Sequence, residues 1–170
     1  GMGEIYKKWV DFGIDGFRID TVKHVNLEFW QKFVPDILDE AKAVKNDDFF
    51  AFGEVFDGNP AVMSEYTTSG KLQATLDFGF QGAGLDFAKG LPTTRLRNFY
   101  ASDDLYTDTA SNAYSLPTFL GNHDMGRVGG FLDDTFSGDE LLRRDELAHA
   151  LMYLTRGQPV SSTGAQISVP

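Results

Sequence analysis

Gly16-Phe17-Arg18-Ile19-Asp20, Phe52-Gly53-Glu54-Val55 and Phe119-Leu120-Gly121-Asn122-His123-Asp124 are the three stretches that decide how this chain folds. Each carries a carboxylate at or just past the end of a short apolar run, where a buried strand gives way to a loop. Asp20 and Glu54 are 34 residues apart, and Glu54 and Asp124 are 70 apart. A strand with its crossover helix takes ~30 residues or more, so these intervals fit one repeat and then two. Carboxylates spaced in that way converge on the C-terminal rim of a parallel barrel or sheet.

The flanking sequence supports alternating helix and strand. Ile5, Tyr6, Trp9 and Val10 share one helical face, which Gly13 terminates, and Ile14 to Ile19 is a short strand. Asn26 is placed to cap a helix running to about Ala43, with an apolar stripe of Leu27, Trp30, Val34, Ile37, Leu38 and Ala41 and a kink expected at Pro35. Phe49 to Val55 is the next strand, and Asn59-Pro60 opens a helix that Gly70 closes. Leu72 to Phe80 predicts a third strand, followed by a helix within Asp86–Tyr100 broken at Gly90-Leu91-Pro92. Pro117 to Gly121 predicts a fourth strand, Gly126 to Gly130 a flexible rim loop, Asp139 to Leu154 an amphipathic helix, and Val160 the start of a fifth strand. The fold class is α/β, with parallel strands joined by right-handed crossovers. Four or five such units make half of an eightfold barrel, and the chain opens on a helix with no strand before it. It reads as a piece of something larger.

Composition narrows the partners. At 170 residues, with 42% hydrophobic residues, 14% aromatic residues and fifteen Phe, the chain can bury a core and line clefts with rings. A net charge of −10 argues against nucleic acid and anionic membrane and is compatible with a neutral polyol. The absence of cysteine excludes disulfides and thiolate metal sites. No run of apolar residues is long enough to span a membrane, and no basic segment followed by an apolar one opens the chain, so no signal peptide is expected. Localisation stays open.

The chemistry lies in the three acidic stretches. Arg18 and Asp20 are two apart in a strand and share a face, so the guanidinium holds the carboxylate ionised, as a nucleophile requires. A buried structural ion pair has the same signature. Glu54 follows Ala51-Phe52-Gly53, a cramped apolar setting that favours a protonated general acid, although a lone Gly-Glu-Val is also an ordinary strand end. His123-Asp124 offers a neutral imidazole and a carboxylate for sugar hydroxyls; a helix-capping Asp with a satisfied His and a metal site are the alternatives. Neither a Gly-x-Ser-x-Gly elbow nor a phosphate-binding loop is present, and His149 sits in a helix as surface or core filler. One carboxylate beside an Arg and another in an apolar pocket follow the logic of a retaining glycosidase.

Together the three stretches resemble the α-amylase family of glycoside hydrolases (family 13), a group of (β/α)8-barrel enzymes. The resemblance covers roughly residues 3 to 160. Gly16 to His24 looks like the family's segment at barrel strand four, Phe52 to Val55 like strand five, and Phe119 to Asp124 like strand seven. It implies a partial (β/α)8 TIM barrel, approximately strands four to seven or eight with helices three to seven. It further implies Asp20 as nucleophile, Glu54 as acid/base and Asp124 as a binder of sugar hydroxyls, with His123 and Arg18 in support. Lys23 and His24 resemble the pair that some members use for the leaving-side sugar, and the His24 backbone carbonyl sits where relatives help bind a structural calcium. The implied activity is that of a retaining, α-glucan-active glycoside hydrolase on α-1,4-linked glucose polymers or oligomers. A transglycosylase of the same family, or a catalytically inactive half-barrel that self-associates, is the alternative.

Residues 1–170 are expected to form a single fragment of such a barrel, without strands one to three and their Asp-Asn-His segment. Residues 161–170 form an atypical tail, because Ser161-Ser162-Thr163-Gly164 stands where the family continues with an aromatic pair, Gly and an acidic residue. Half a barrel exposes an apolar strand edge on each side, which predicts a homodimer or higher oligomer and impaired activity for the chain alone. Full-length relatives are often secreted.

Overall fold

Gly16 faces Phe50 in register, and a side chain at Gly16 would fall 2.1 Å from the Phe50 carbonyl oxygen. Only glycine lets the first two strands meet there. In the computed structural model, which describes residues 1–161, β1 (Gly16–Ile19) pairs in parallel with β2 (Phe50–Gly53), and β2 with β3 (Ala74–Thr75). A second parallel pair joins β4 (Pro117–Thr118) to β5 (Gln158–Pro159). The two pairings are linked by one parallel bridge between Asp77 and Thr118, where the Asp77 N–H donates to Pro117 O at 2.9 Å. The five strands thus run in chain order along an open arc, and among the described residues the arc does not close into a barrel.

The helices cover the arc in two groups. α1 (Met2–Asp11) packs on α2 (Leu27–Ala43), and α3 (Pro60–Thr68) lies beside β3. Their apolar faces form one core with the first three strands, holding Val10, Trp30, Val34, Ile37, Ala51, Val55 and Met63. A second core joins α4 (Phe78–Ala88), α5 (Thr94–Tyr100), α6 (Val128–Leu132) and α7 (Gly138–Leu154) around Phe80, Leu85, Leu132 and Met152. Asn59 caps α3 by accepting from the Ala61 N–H, with Pro60 at the first helical position, and Gly13 at φ 95° follows α1, both as expected.

Three expectations are corrected. The strand predicted over Leu72–Phe80 is only two residues long, because the Asp77 carboxylate accepts from the Phe80 N–H and starts α4 at Phe78. The apolar run misleads because α4 is buried on nearly every side; Gly79 lets the Phe99 ring close to 3.0 Å of where a Cβ would stand. The rim loop at 126–130 is in part helical, since α6 begins at Val128. The helix over Asp139–Leu154 is present, but its polarity is not clean. Asp145 is buried beside Ala148 and Met152, while Leu147, Tyr153 and Leu154 are exposed. The atypical tail is described only at Ser161; residues 162–170 lie outside the described residues.

Candidate active site

The ends of β1 and β2 and the loop after β4 open on one cleft of about 640 Å³. Asp20, Thr21, Lys23, His24, Glu54, Phe56, His123 and Asp124 line it. All the residues singled out from the sequence therefore line it except Arg18, which reaches two of the lining carboxylates. Parallel strands side by side deliver their C-terminal ends to one rim, which is why stretches so far apart in sequence meet.

Arg18 ties the two central carboxylates together. Its Nη1 donates to Asp20 Oδ1 at 2.6 Å and its Nη2 to Glu54 Oε1 at 3.3 Å. Asp20 is otherwise open to solvent, whereas Glu54 is buried. The apolar surroundings read for Glu54 are incomplete, because its Oε2 also accepts from the Thr21 backbone N–H at 3.1 Å. The cramped part of that reading stands: a Cβ on Gly53 would lie 2.8 Å from Leu72 Cδ1 and from Val22 Cγ2.

The third stretch is shaped by its own turn. Asn122 Oδ1 accepts from the N–H groups of Asp124 (3.0 Å) and Met125 (2.9 Å), and the Gly126 N–H donates back to Asn122 O. Gly121 is required there, since a Cβ would meet Gly126 O at 2.3 Å. The turn leaves His123 and Asp124 exposed on the cleft, 3.2 Å apart between Nε2 and Oδ2.

Lys23 does not stand free: its Nζ donates to Asp57 Oδ2 at 2.8 Å. That bond, with the Asn59 N–H, holds the Asp57 carboxyl below its ordinary value. Thr21, Phe56 and Asp57 were not found from the sequence. Phe56 is exposed on the cleft and its ring packs against Phe78 at 4.8 Å. Its place two residues after Glu54 is the only signal it carries. Among the described residues no group of three or more His, Asp or Glu side chains converges to hold a metal ion.

A model of the alpha amylase catalytic domain matches residues 1–169. The chain is 50% identical over 165 residues to an alpha-amylase of Streptomyces lividans, covering 94% of this chain and 18% of that protein. A cyclomaltodextrin glucanotransferase of Klebsiella oxytoca is 34% identical over 137 residues, covering 72% of this chain and 20% of that one. Among solved structures, the Geobacillus thermoleovorans alpha-amylase complexed with acarbose superposes with a TM-score of 0.82 at 27% identity, over 97% of this chain and 35% of that one. The chain thus spans about a fifth of the length of these curated relatives and about a third of the solved chain. With the open arc of parallel strands and the carboxylates gathered on its rim, the match over nearly its whole length places this chain in the alpha-amylase family, in the catalytic domain.

Proposed function

We propose that residues 1–170 form one part of an α-amylase-type barrel and carry the reacting groups of a retaining, α-glucan-active glycoside hydrolase. The observation that carries this reading is the single Arg18 guanidinium bonded to both Asp20 and Glu54 at a cleft that Asp124 also lines. One guanidinium reaching both carboxylates is compatible with the ~5 Å separation that retaining chemistry uses.

In the first step a carboxylate oxygen of Asp20 bonds to the anomeric carbon as the bond to the bridging oxygen breaks. Protonated Glu54 gives its proton to that departing oxygen. Water then attacks the same carbon, the Glu54 carboxylate takes the water's proton, and the Asp20–carbon bond breaks with configuration retained. Asp124 and His123 hold hydroxyls of the sugar at the cleaved bond, and Lys23 and His24 serve the leaving-side sugar. Phe56 offers a ring to a sugar's apolar face. If a second sugar hydroxyl replaces water, the same residues perform transglycosylation, the activity named for the glucanotransferase relatives.

Calcium takes ~6–8 oxygen ligands. The His24 carbonyl would supply one, and the described His, Asp and Glu side chains do not gather to complete the set. The test is release of reducing sugar from soluble starch, by the chain alone and by the chain set in place of the matching segment of the Streptomyces lividans relative. Loss in Asp20→Asn is expected in whichever context cleaves; cleavage that Asp20→Asn leaves intact refutes the reading.

A second reading, a self-associating half-barrel, is favoured by where the exposed apolar side chains lie. Ile5, Trp9 and Phe12 are exposed at one end of the arc, and Tyr153, Leu154 and Val160 at the other. Two copies joined edge to edge would cover both ends. Light scattering that returns a monomer removes this reading.

A further inference from the structure

Thr21 adopts the left-handed backbone conformation, φ 51° and ψ 34°, directly after Asp20. The other described non-glycine residues with positive φ are Lys45 and Lys71, so Thr21 is the one with a β-branched side chain. Such a residue is disfavoured there and persists only where its surroundings fix it. What the conformation achieves is visible in Glu54. The Thr21 N–H donates to Glu54 Oε2 at 3.1 Å, and the Val22 N–H to Glu54 O at 3.0 Å. The Glu54 N–H in turn donates to Ile19 O at 2.7 Å, and Arg18 reaches Oε1. Segment 18–22, which carries Asp20, therefore grips Glu54 by its main chain and by each carboxyl oxygen.

We propose that Thr21 is a positioning residue: its left-handed turn holds the backbone N–H against Glu54 Oε2 and fixes the carboxyl group relative to Asp20. Resting on the reading of Glu54 as acid/base, the proposal assigns the strain at Thr21 to proton delivery rather than to chain reversal alone. A donor placed on one oxygen sets the plane of the carboxyl group, and proton transfer to a leaving oxygen depends on that plane. The donor to Glu54 is the Thr21 backbone N–H, not its side chain.

The test removes that N–H alone, by incorporating the α-hydroxy analogue of threonine at position 21 so that an ester replaces the Asp20–Thr21 amide. Two substrates are compared in the context that cleaves starch. A maltooligosaccharide needs its leaving oxygen protonated, and an α-maltosyl fluoride does not. Expected for the ester is a loss of about tenfold in kcat/KM on the oligosaccharide, a part of the ~10²–10⁴ that general acid catalysis contributes, with less than about a threefold change on the fluoride. Thr21→Gly keeps the N–H and accepts positive φ freely, so the ratio of the two activities should stay at the parent's value. Equal losses on both substrates would mean a merely structural turn and overturn the proposal, as would no loss, or a shift of the ratio in Thr21→Gly. Glu54→Gln separates this from the underlying reading. If it spares the oligosaccharide, or if neither context cleaves, the acid/base assignment fails and the proposal with it. If it abolishes that activity while the ester does not, only the role of Thr21 falls.

Discussion

Two clusters in this molecule have the same composition, one arginine between two aspartate or glutamate groups, and opposite surroundings. Arg18 joins Asp20 and Glu54 at the cleft; Arg156 joins Asp77 and Asp103 between the strands and α5. The Asp20 side chain is 62% exposed, whereas Asp77 is 0% and Arg156 7%. Each nitrogen of Arg156 is engaged: Nη1 bonds Asp77, Nε and Nη2 bond Asp103, and its guanidinium lies 4.5 Å from the Phe99 ring centroid. Burial works against its charge, yet the Asp103 hydrogen bonds and the Asp77 charge outweigh it and hold the group above its ordinary value. Asp77 meanwhile starts α4 and bridges β4, so both elements meet on this ion cluster. The difference teaches that an Arg–carboxylate pairing has no function in itself. What marks the first cluster is a carboxylate left facing open space.

The largest contrast should come from removing one carboxylate's charge. In whichever context cleaves starch, Asp20→Asn is expected to lower cleavage by on the order of 10³-fold or more, because the proposed nucleophile is gone. Its melting temperature should stay within about 2 °C of the parent, since an exposed ion pair contributes little to stability. Calorimetry beside a reducing-sugar assay reads both quantities. A large melting shift would erase the distinction between the two clusters.

Arg156→Met should reverse that pattern. It leaves Asp77 buried without its partner, an arrangement that costs about 3–5 kcal/mol. Urea titration should show that loss, or a chain that no longer folds. Arg18→Met is the matched control and should cost less than Arg156→Met, because Asp20 is solvated and only Glu54, which keeps the Thr21 N–H, is left buried without the guanidinium. Equal destabilisation by the two changes would show that both clusters are structural.

How each cluster could be read from sequence follows from the same contrast. Arg18 and Asp20 lie two apart on one strand, and Glu54 one repeat further on, so strand periodicity and repeat length bring them together. Asp77, Asp103 and Arg156 have no such period. Their meeting depends on α4 starting at Asp77, and the apolar run through Phe80 conceals that start by reading as a strand. The open arc was legible from the alternation of elements, as were the caps at Asn59 and Gly13, which are local. Thr21 was not, because a left-handed residue that is not glycine leaves no mark in composition. Phe56 was missed for a different reason: an aromatic beside a strand end reads as core until its exposure is known. The polarity of α7 failed because Asp145 is buried against its neighbours, a matter of tertiary packing that no helical period carries.

A milder change probes an ionic pair outside both clusters. Asp145 is buried on α7, and its carboxylate oxygens have no hydrogen-bond partner among the described residues beyond the contact of Oδ1 with His149 Nδ1 at 2.6 Å. The Asp145 side chain, followed by opposing burial and then the Asp145 carbonyl, raises the His149 imidazole above its ordinary value. A group raised on folding binds its proton more tightly in the native state, so its contribution is fully present below the unfolded value of ~6.5 and is lost as pH climbs through the folded one. His149→Gln should therefore lower the melting temperature at about pH 5.5 and approach the parent near about pH 8.5. The His149 side chain stays 27% exposed, and that contact with water keeps the effect at a few degrees or less, the smallest of these changes. A deficit that grows toward alkaline pH would mean that the neutral ring, not the charged one, supports α7.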